Sequence, residues 1–253
     1  MHLDRLIAVL EAVAASGRAI SPVDVQRATD IPRPTCYRLL QALATHRLLD
    51  ESDDGAGYVI GERLKRIAFL GQPDVDVCKA AAPALAEAAI DFGEAVFLSR
   101  FRDTAVEIIW VETPVDAARS FIHPGLGKRP LHACSCSKAI AAFAAQTFQE
   151  DILSGQLRTY TDKTKTTARD VEREFAAIRA QGYAECVEEI EVGVSSVAAP
   201  IRIGSLGVPF SVGATGPIRR FTDSHRRKIA ARLVEVAGRI ATSLQVARLG
   251  LEG

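Results

Sequence analysis

The chain begins with three successive helix patterns, which are followed directly by a hairpin pattern. This order of elements constrains the fold more than any other feature of the sequence. Residues 3–14 carry apolar side chains at helical spacing and end near Gly17, where a glycine can cap a helix. Residues 21–24, Ser-Pro-Val-Asp, supply a helix cap, a proline for the first helical position and an acid for the first turn. They predict a short second helix that runs to about Ala28.

The two faces of the third helix pattern differ in chemistry, and its prolines fit a first helical turn. One face is apolar and is expected to pack on the first two helices, with Cys36, Leu39, Leu40 and Leu43. The other face bears side-chain types that bond phosphate oxygens or base edges of DNA. Its residues are Arg33, Pro34, Thr35, Tyr37, Arg38, Gln41 and Thr45. Such a face fits the major groove, N-terminus first, so we predict a recognition helix.

A short hairpin follows, because residues 47–50 and 58–60 have strand patterns and residues 52–57 are turn formers. Three helices and this wing make a winged helix-turn-helix. Residues 31–49 contain three arginines and no Asp or Glu. Because the whole chain carries 31 basic and 31 acidic side chains, DNA contact depends on this local charge. A helical subdomain with a merely solvated basic face is the alternative, and the order of the elements favours DNA binding.

The composition is that of a folded globular protein, because 48% of the 253 residues are hydrophobic and 25% are charged. No apolar run approaches the ~20 residues that span a bilayer, and Asp4 stands where a signal peptide carries positive charge. We therefore expect a cytoplasmic protein with no membrane partner. The cysteines are odd in number and lack a CxxC pair, which suits a reducing compartment.

The segment SPVDVQRATDIPRPTCYRLLQALATHRLLDE, followed by GYVIGERLKRIA, resembles the DNA-binding module of the IclR family of bacterial regulators. Members of that family usually carry Ser or another small residue where Pro34 stands. Three further segments extend the resemblance to the far end of the chain. They are GKRPLHACSCSKAIAAF at 127–143, with its pairs His132-Ala133 and Lys138-Ala139, GYAECVEEIEVGVSSVAAPI at 182–201 and GATGPIRRFT at 213–222.

We predict three parts of the chain: a winged helix-turn-helix at 1–61, a linker helix at 62–73 and an effector-binding sensor domain at 74–253. By its pattern alone the linker helix is a tether. The resemblance implies that it also helps to pair two subunits.

Strand patterns in hairpins, with helical patterns around them, predict an α+β sensor domain built on a mainly antiparallel sheet. The resemblance implies the same architecture, a profilin-like and GAF-related fold. Strands are expected at 95–100, 104–111, 195–203 and 208–214, and helices at 74–92, 136–145, 147–154, 168–180 and from about 222.

The resemblance also implies a ligand pocket between the sheet and the loop that opens the helix after the His-Ala pair. Carried over by position, its effector-binding residues are Leu131, His132, Ala133, Cys134, Ser135, Cys186, Ser196, Gly213 and Thr215. Backbone N–H groups at the start of the 136–145 helix suit a carboxylate. The expected effector is a small organic acid or an aromatic catabolite.

Four positions depart from residues that the family often has. Asp is frequent where Cys186 stands, Cys where Ser196 stands, Gly where Ser137 stands and Ser where Gly213 stands. The loss of an acid and the gain of a thiol change the polarity of the pocket, so the ligand is not carried over from other members.

Two other interpretations use the cysteines. His132, Cys134, Cys136 and Cys186 have the chemistry of a soft-metal site, as in a metal-responsive regulator. Cys134 beside His132 has the chemistry of an enzyme nucleophile, although the sequence supplies no orienting residue or oxyanion hole. We assign no catalytic residue, metal ligand or cofactor, and we expect a regulator rather than an enzyme.

Two charged clusters have competing explanations. Glu188, Glu189 and Glu191 suit a cation, but a solvated surface loop is favoured. Arg219-Arg220 and residues 225–228 suit a second contact with nucleic acid, but the exposed face at the start of the last helix is favoured.

The combined expectation is a homo-oligomer, a dimer or a dimer of dimers, that binds double-stranded operator DNA and a small-molecule effector. Two recognition helices are needed to read a palindromic operator. An effector that favours one arrangement of the subunits changes the affinity for the operator. Repression of a catabolic operon is the preferred output.

Overall fold

A computed structural model describes residues 2–52, 54–115 and 121–248. The chain divides into two compact units, Met1–Gln72 and Pro73–Gly253. Within the described residues, no helix is long and apolar enough to cross a membrane.

The first unit is a three-helix cluster with a two-stranded wing and a following helix. Val9, Val25, Leu40 and Leu49 are fully buried at its centre. The predicted inner face of the third helix is confirmed, because all four of its apolar residues are buried. The elements are α1 (His2–Ala15), α2 (Pro22–Thr29), α3 (Arg33–Thr45), β1 (Leu49–Glu51), β2 (Tyr58–Ile60) and α4 (Glu62–Leu70).

The start of α2 is fixed by the cap that its sequence predicts. The Ser21 hydroxyl accepts a hydrogen bond from the Asp24 N–H at 3.2 Å and donates one to the Asp24 carboxylate at 2.7 Å. These bonds satisfy an otherwise unpaired N–H of the first turn. At the other end, Asp30 takes a left-handed conformation with φ of 52°. It redirects the chain into α3.

The wing is joined to the loop between α1 and α2 by a bridge from Tyr58 to Ile20, whose N–H and C=O groups bond each other at 3.1 and 2.9 Å. A β-carbon on Gly57 would lie 2.8 Å from the Ile20 carbonyl oxygen. Only glycine permits this approach of the two backbones. The predicted first strand begins two residues late, at Leu49, because Arg47 has a positive φ of 58°.

The second unit is α+β, as predicted. Its six strands form one antiparallel sheet in the order β5-β4-β3-β8-β7-β6. A short 3-10 turn at Gly204–Leu206 lies between β7 and β8. The elements are α5 (Asp74–Phe92), β3 (Ala95–Arg102), β4 (Ala105–Glu112), β5 (Gly127–Arg129), α6 (Ser135–Ala141), α7 (Gln146–Ser154), α8 (Ala168–Gln181), β6 (Ala184–Val187), β7 (Val194–Ile201), β8 (Phe210–Pro217) and α9 (Asp223–Arg248).

Helices flank this sheet. The helices α6, α7 and α8 share a buried core with the sheet, to which Phe97, Ile140, Phe175 and Ala198 contribute. The long helices α5 and α9 pack against each other, against β3 and against β7. The predicted helix at 136–145 ends early, at Ala141, since the next residues make the short turn bonds of a 3-10 geometry. The edge strands β5 and β6 were not predicted.

Two predictions about charged clusters are wrong at one residue each, while Glu191, Arg219, Arg227 and Lys228 are exposed as expected. Glu189 does not belong to a solvated loop, because it is buried and its carboxylate accepts a hydrogen bond from Lys138 at 2.7 Å. Arg226 does not belong to an exposed helix face. It is buried, and it donates to the Phe221 carbonyl at 2.6 Å and to the Glu185 carboxylate at 3.1 Å.

Candidate functional site

The outer face of α3 is the candidate nucleic-acid interface in the first unit. The residues predicted on the outer face of α3 lie on one surface, with Thr35 half-buried and the other six exposed: Arg33, Pro34, Tyr37, Arg38, Gln41 and Thr45. The guanidinium carbon of Arg33 lies 5.4 Å from the centre of the Tyr37 ring, which keeps that arginine along the helix. The face therefore presents two cations, an amide and a phenol without an acidic neighbour on its own helix.

The first turn of α3 depends on proline rather than on a side-chain cap. The N-cap is Pro32, and its carbonyl accepts the N–H groups of Thr35 and Cys36 at 2.9 and 3.0 Å. Pro34 lies in the first turn, where its missing N–H has no helical partner to lose. The pyrrolidine ring and the positive end of the helix dipole therefore lie together at the N-terminus of α3.

The wing carries negative charge near its tip. The Ser52 hydroxyl lies 2.6 Å from the Asp54 carboxylate, which also accepts the Ala56 N–H at 3.0 Å. These hydrogen bonds, the one from Ser52 first, lower the pKa of Asp54. An ionised Asp54 repels phosphate, whereas Arg33 and Arg38 lie on α3, which carries no acidic residue.

A cavity of about 150 Å³ in the second unit is the candidate ligand pocket. It lies beside β3, β4 and β7 and the segment that leads into α6. Its wall is mostly apolar, with a few polar side chains, as small-molecule sites usually are. The lining residues are Phe97, Ile108, Ile122, His123, Pro124, Arg129, Pro130, Cys134, Cys186, Ile190, Glu191, Val194, Ser195, Ser196 and Thr215.

Four of the residues predicted to bind effector line this cavity: Cys134, Cys186, Ser196 and Thr215. The other five are Leu131, His132, Ala133, Ser135 and Gly213, and they do not line it. Ser135 is one layer behind, with its hydroxyl oxygen 2.7 Å from that of Ser196. The imidazole of His132 lies 3.0 Å from the Arg158 carbonyl oxygen and stacks on Tyr160.

Most of the residues that line the cavity were not predicted from the sequence. Phe97 and Ile108 lie on the hairpin of β3 and β4, whose strands were predicted at 95–100 and 104–111. Strand residues that face inward are candidates for any pocket on that face of the sheet. Arg129 lies in the quoted segment that begins Gly-Lys-Arg-Pro, and its charge was a usable signal. Ile190 and Glu191 lie in the turn between β6 and β7, and Val194 begins β7, so their positions depend on the pairing of these two strands.

The thiols at the cavity are neutral at physiological pH. Burial raises the pKa of Cys186 to about 12. A hydrogen bond with Cys136, whose sulfur is 3.4 Å away, and burial raise the pKa of Cys134 well above its usual value. Since a thiolate is the reactive form of cysteine, neither residue has the electrostatics of an activated nucleophile.

The metal interpretation is not supported either. In the part of the chain that the structure describes, no three His, Cys, Asp or Glu side chains are grouped as a metal site requires. His132 is directed to the Arg158 carbonyl rather than to the sulfur atoms of Cys134 and Cys136.

A buried ion network lies next to the pocket. The Lys138 ammonium, which is fully buried, donates to Glu174 at 2.6 Å and to Glu189 at 2.7 Å. Burial acts to lower the pKa of Lys138, but attraction to the two carboxylates outweighs it and raises that pKa. Because Glu189 directly precedes Ile190 of the cavity wall, the network ties that wall to α6.

Comparison with known proteins covers both units. Residues 73–242 match the family described as bacterial transcriptional regulator IclR C-terminal. Residues 2–53 match the IclR helix-turn-helix domain. Together these matches include α3 and the entire cavity wall.

Curated relatives are similar along most of their length. The glycerol operon regulatory protein of Streptomyces griseus is 29% identical over 221 residues, covering 86% of this chain and 85% of that protein. The HTH-type transcriptional repressor AllR of Escherichia coli is 26% identical over 247 residues, covering 96% and 89%.

Solved structures share the fold. The IclR of Thermotoga maritima has a TM-score of 0.62 at 24% identity, covering 96% of this chain and 98% of that chain. An IclR homolog from Microbacterium hydrocarbonoxydans, complexed with 4-hydroxybenzoate, also has a TM-score of 0.62 at 24% identity, covering 97% and 100%.

Proposed function

The chain belongs to the IclR family of bacterial transcriptional regulators, which are DNA-binding proteins and not enzymes. On that premise we propose that it represses a catabolic operon and that a small organic acid or aromatic metabolite weakens its binding to the operator. The observation that carries the proposal is the separation of two surfaces. The acid-free face of α3 lies in the first unit, and the ligand cavity lies wholly in the second.

We assign the reading of DNA to α3. Arg33 and Arg38 supply charge for phosphates or guanine edges, and Tyr37 and Gln41 supply hydrogen bonds. Thr35 and Pro34 shape the end of the helix that enters the groove. Because one such helix covers only a half-site, the working form is a dimer, or a dimer of dimers, on a palindromic operator.

The relatives support a catabolic role. The similar Streptomyces protein is named for a glycerol operon, and AllR is named a repressor. The Microbacterium homolog holds an aromatic acid, 4-hydroxybenzoate. An effector of this chemical class suits a cavity with an apolar wall and one guanidinium.

The effector acts by shifting a population. It binds more tightly to one arrangement of the subunits, and the two arrangements differ in how well the paired recognition helices match the operator. A ligand that binds both arrangements equally has no effect on DNA affinity.

A gel-shift assay tests the proposal. The DNA upstream of the chain's own gene is incubated with the full-length protein and titrated with metabolites of the adjacent operon. We expect a specific shift that one metabolite weakens. A protein that shifts neither this DNA nor the upstream DNA of the neighbouring operon, with or without metabolite, contradicts the proposal.

A further inference from the structure

Arg129 brings a positive charge into the mostly apolar wall of the cavity. The antiparallel pairing of β5 with β4 places it opposite Val106. Its Nη2 donates to the backbone carbonyls of Pro124 and Gly125, which hold the guanidinium in place. Its Nε is buried and has no hydrogen-bond partner among the described residues. A charged donor of this kind is costly to bury unless an acceptor satisfies it.

In the described part of the chain, no acidic side chain forms an ion pair with Arg129. Glu191 also lines the cavity, but it is exposed, so water solvates its carboxylate. The thiols of Cys134 and Cys186 are uncharged at neutral pH, because their pKa values are raised.

The last titratable group at the wall is an imidazole. His123 is exposed, and its Nδ1 lies 3.0 Å from the Gly125 N–H, which donates to it. Arg129 is the one lysine or arginine among the residues that line the cavity.

Four hydrophobic side chains of the wall favour a ligand with an apolar body. Phe97, Ile108, Ile122 and Ile190 supply hydrocarbon surface. The cavity volume is about 150 Å³, and an apolar cavity of about 150 Å³ holds a benzene molecule in another protein. One ring with a single small substituent fits this space, whereas a second charge would lie against hydrocarbon.

We propose that Arg129 is the anion-binding residue of the pocket and that the effector is a monocarboxylate of an aromatic or similarly flat ring, of the size of benzoate. This inference rests on the proposed function, because it takes the cavity as the effector site. It replaces the helix start as the carboxylate site, since α6 has only seven residues and a guanidinium donor gives a stronger, charge-assisted contact.

Calorimetric titration of the full-length protein with benzoate and with its neutral isostere benzamide tests the inference. We expect the wild type to bind benzoate at least about tenfold more tightly than benzamide, the effect of one charge-assisted contact. Arg129→Gln should lose about tenfold or more in affinity for benzoate and keep its affinity for benzamide. Lys128→Gln is the matched control, because Lys128 is exposed on the same strand and does not line the cavity.

Three results overturn the inference: equal binding of the two ligands by the wild type, binding of neither, or undiminished benzoate binding by Arg129→Gln. If Arg129→Gln binds neither ligand, Arg129→Lys decides, since it keeps the charge and must keep the preference for benzoate. Operator DNA that shifts without a response to benzoate overturns only the ligand class. Failure to shift any operator DNA overturns the proposed function whatever benzoate does.

Discussion

The ring of Phe97 lies directly over Gly213, its partner in the register of β3 with β8. A β-carbon at position 213 would overlap the edge of that ring and would lie 2.6 Å from the Val197 carbonyl oxygen. Glycine therefore makes the space in which Phe97 becomes part of the cavity wall. The resemblance predicted that Gly213 belongs to the ligand pocket. Gly213 does not line the cavity but leaves room for the Phe97 ring, at a position where serine is frequent in the family.

Gly213→Ser should destabilise the second unit and narrow the pocket. The new side chain forces Phe97 out of its position, and overpacking of a well-filled core costs about 1 to 3 kcal/mol. Urea denaturation followed by circular dichroism measures this loss. Gly238→Ala is the control, because a β-carbon there meets no atom within 4 Å, and alanine in a helix gains about 0.5 to 1 kcal/mol over glycine. Unchanged stability of Gly213→Ser would contradict the packing described for Phe97.

Lys138→Met should destabilise the protein far more than a surface change does. It leaves the buried Glu189 carboxylate with only the more distant ammonium of Lys165, at 3.5 Å, and breaking a buried ion pair on one side costs about 3 to 5 kcal/mol. Thermal and urea unfolding measure the loss. Glu174→Gln, which leaves Glu189 in place as a partner of Lys138, should cost less, about 1 to 3 kcal/mol.

Lys165→Met is the matched control for Lys138. The Lys165 ammonium contacts the same two acids, Glu174 at 2.8 Å and Glu189 at 3.5 Å, but its side chain is 39% exposed. Exposed pairs contribute about 0 to 1 kcal/mol. Equal losses for the two lysine variants would show that burial of Lys138 does not set the strength of the network.

The sequence predicted the elements that carry strong local signals. Ser21 and the proline after it marked the start of α2, and the spacing of Leu39 and Leu43 identified the inner face of α3. The polar residues of α3 were predicted on the opposite, outer face, since polar residues on an amphipathic helix face solvent or a ligand. Periodicity predicts such features well because it depends only on near neighbours in the chain.

The pocket was harder to predict because it is a product of long-range pairing. In the sequence, Glu189 was predicted to be a surface acid, like Glu188 and Glu191. In the structure, the turn after β6 packs Glu189 against Lys138, 51 positions away in the chain. The short strand β5 has three residues and no alternation long enough to detect, so the placement of Arg129 was not predicted. The family resemblance identified the segments that form the pocket, but it did not identify which of their side chains point into the cavity.

Iodoacetamide should react slowly with Cys134 and Cys186 of the native protein at pH 7. With a pKa of about 12, Cys186 is almost wholly thiol at neutral pH, and Cys134 is shifted in the same direction. Alkylation proceeds through the thiolate, so the rate should rise as pH increases. Mass spectrometry of tryptic peptides after timed exposure measures each site, with urea-unfolded protein as the reference. Rapid and selective labelling of Cys134 at pH 7 would revive the nucleophile interpretation.

Arg38→Ala should weaken operator binding and leave effector binding unchanged. The side chain is exposed on the outer face of α3 and belongs to the first unit, whereas the cavity belongs to the second. Loss of one phosphate contact lowers the slope of log affinity against log salt by about 1, and loss of a guanine contact costs about 1 to 3 kcal/mol at that base position. Fluorescence anisotropy with labelled operator at several salt concentrations distinguishes the two.

Arg173→Ala is the control for Arg38, because it removes the same charge from an exposed position on α8 in the second unit, where the Arg173 side chain is 62% exposed. Its operator affinity and salt slope should match those of the wild type. Equal weakening by both substitutions would mean that net charge, not the recognition face, governs DNA binding. Loss of effector affinity in Arg38→Ala would contradict the division of the two activities between the units, since no cavity residue comes from α3.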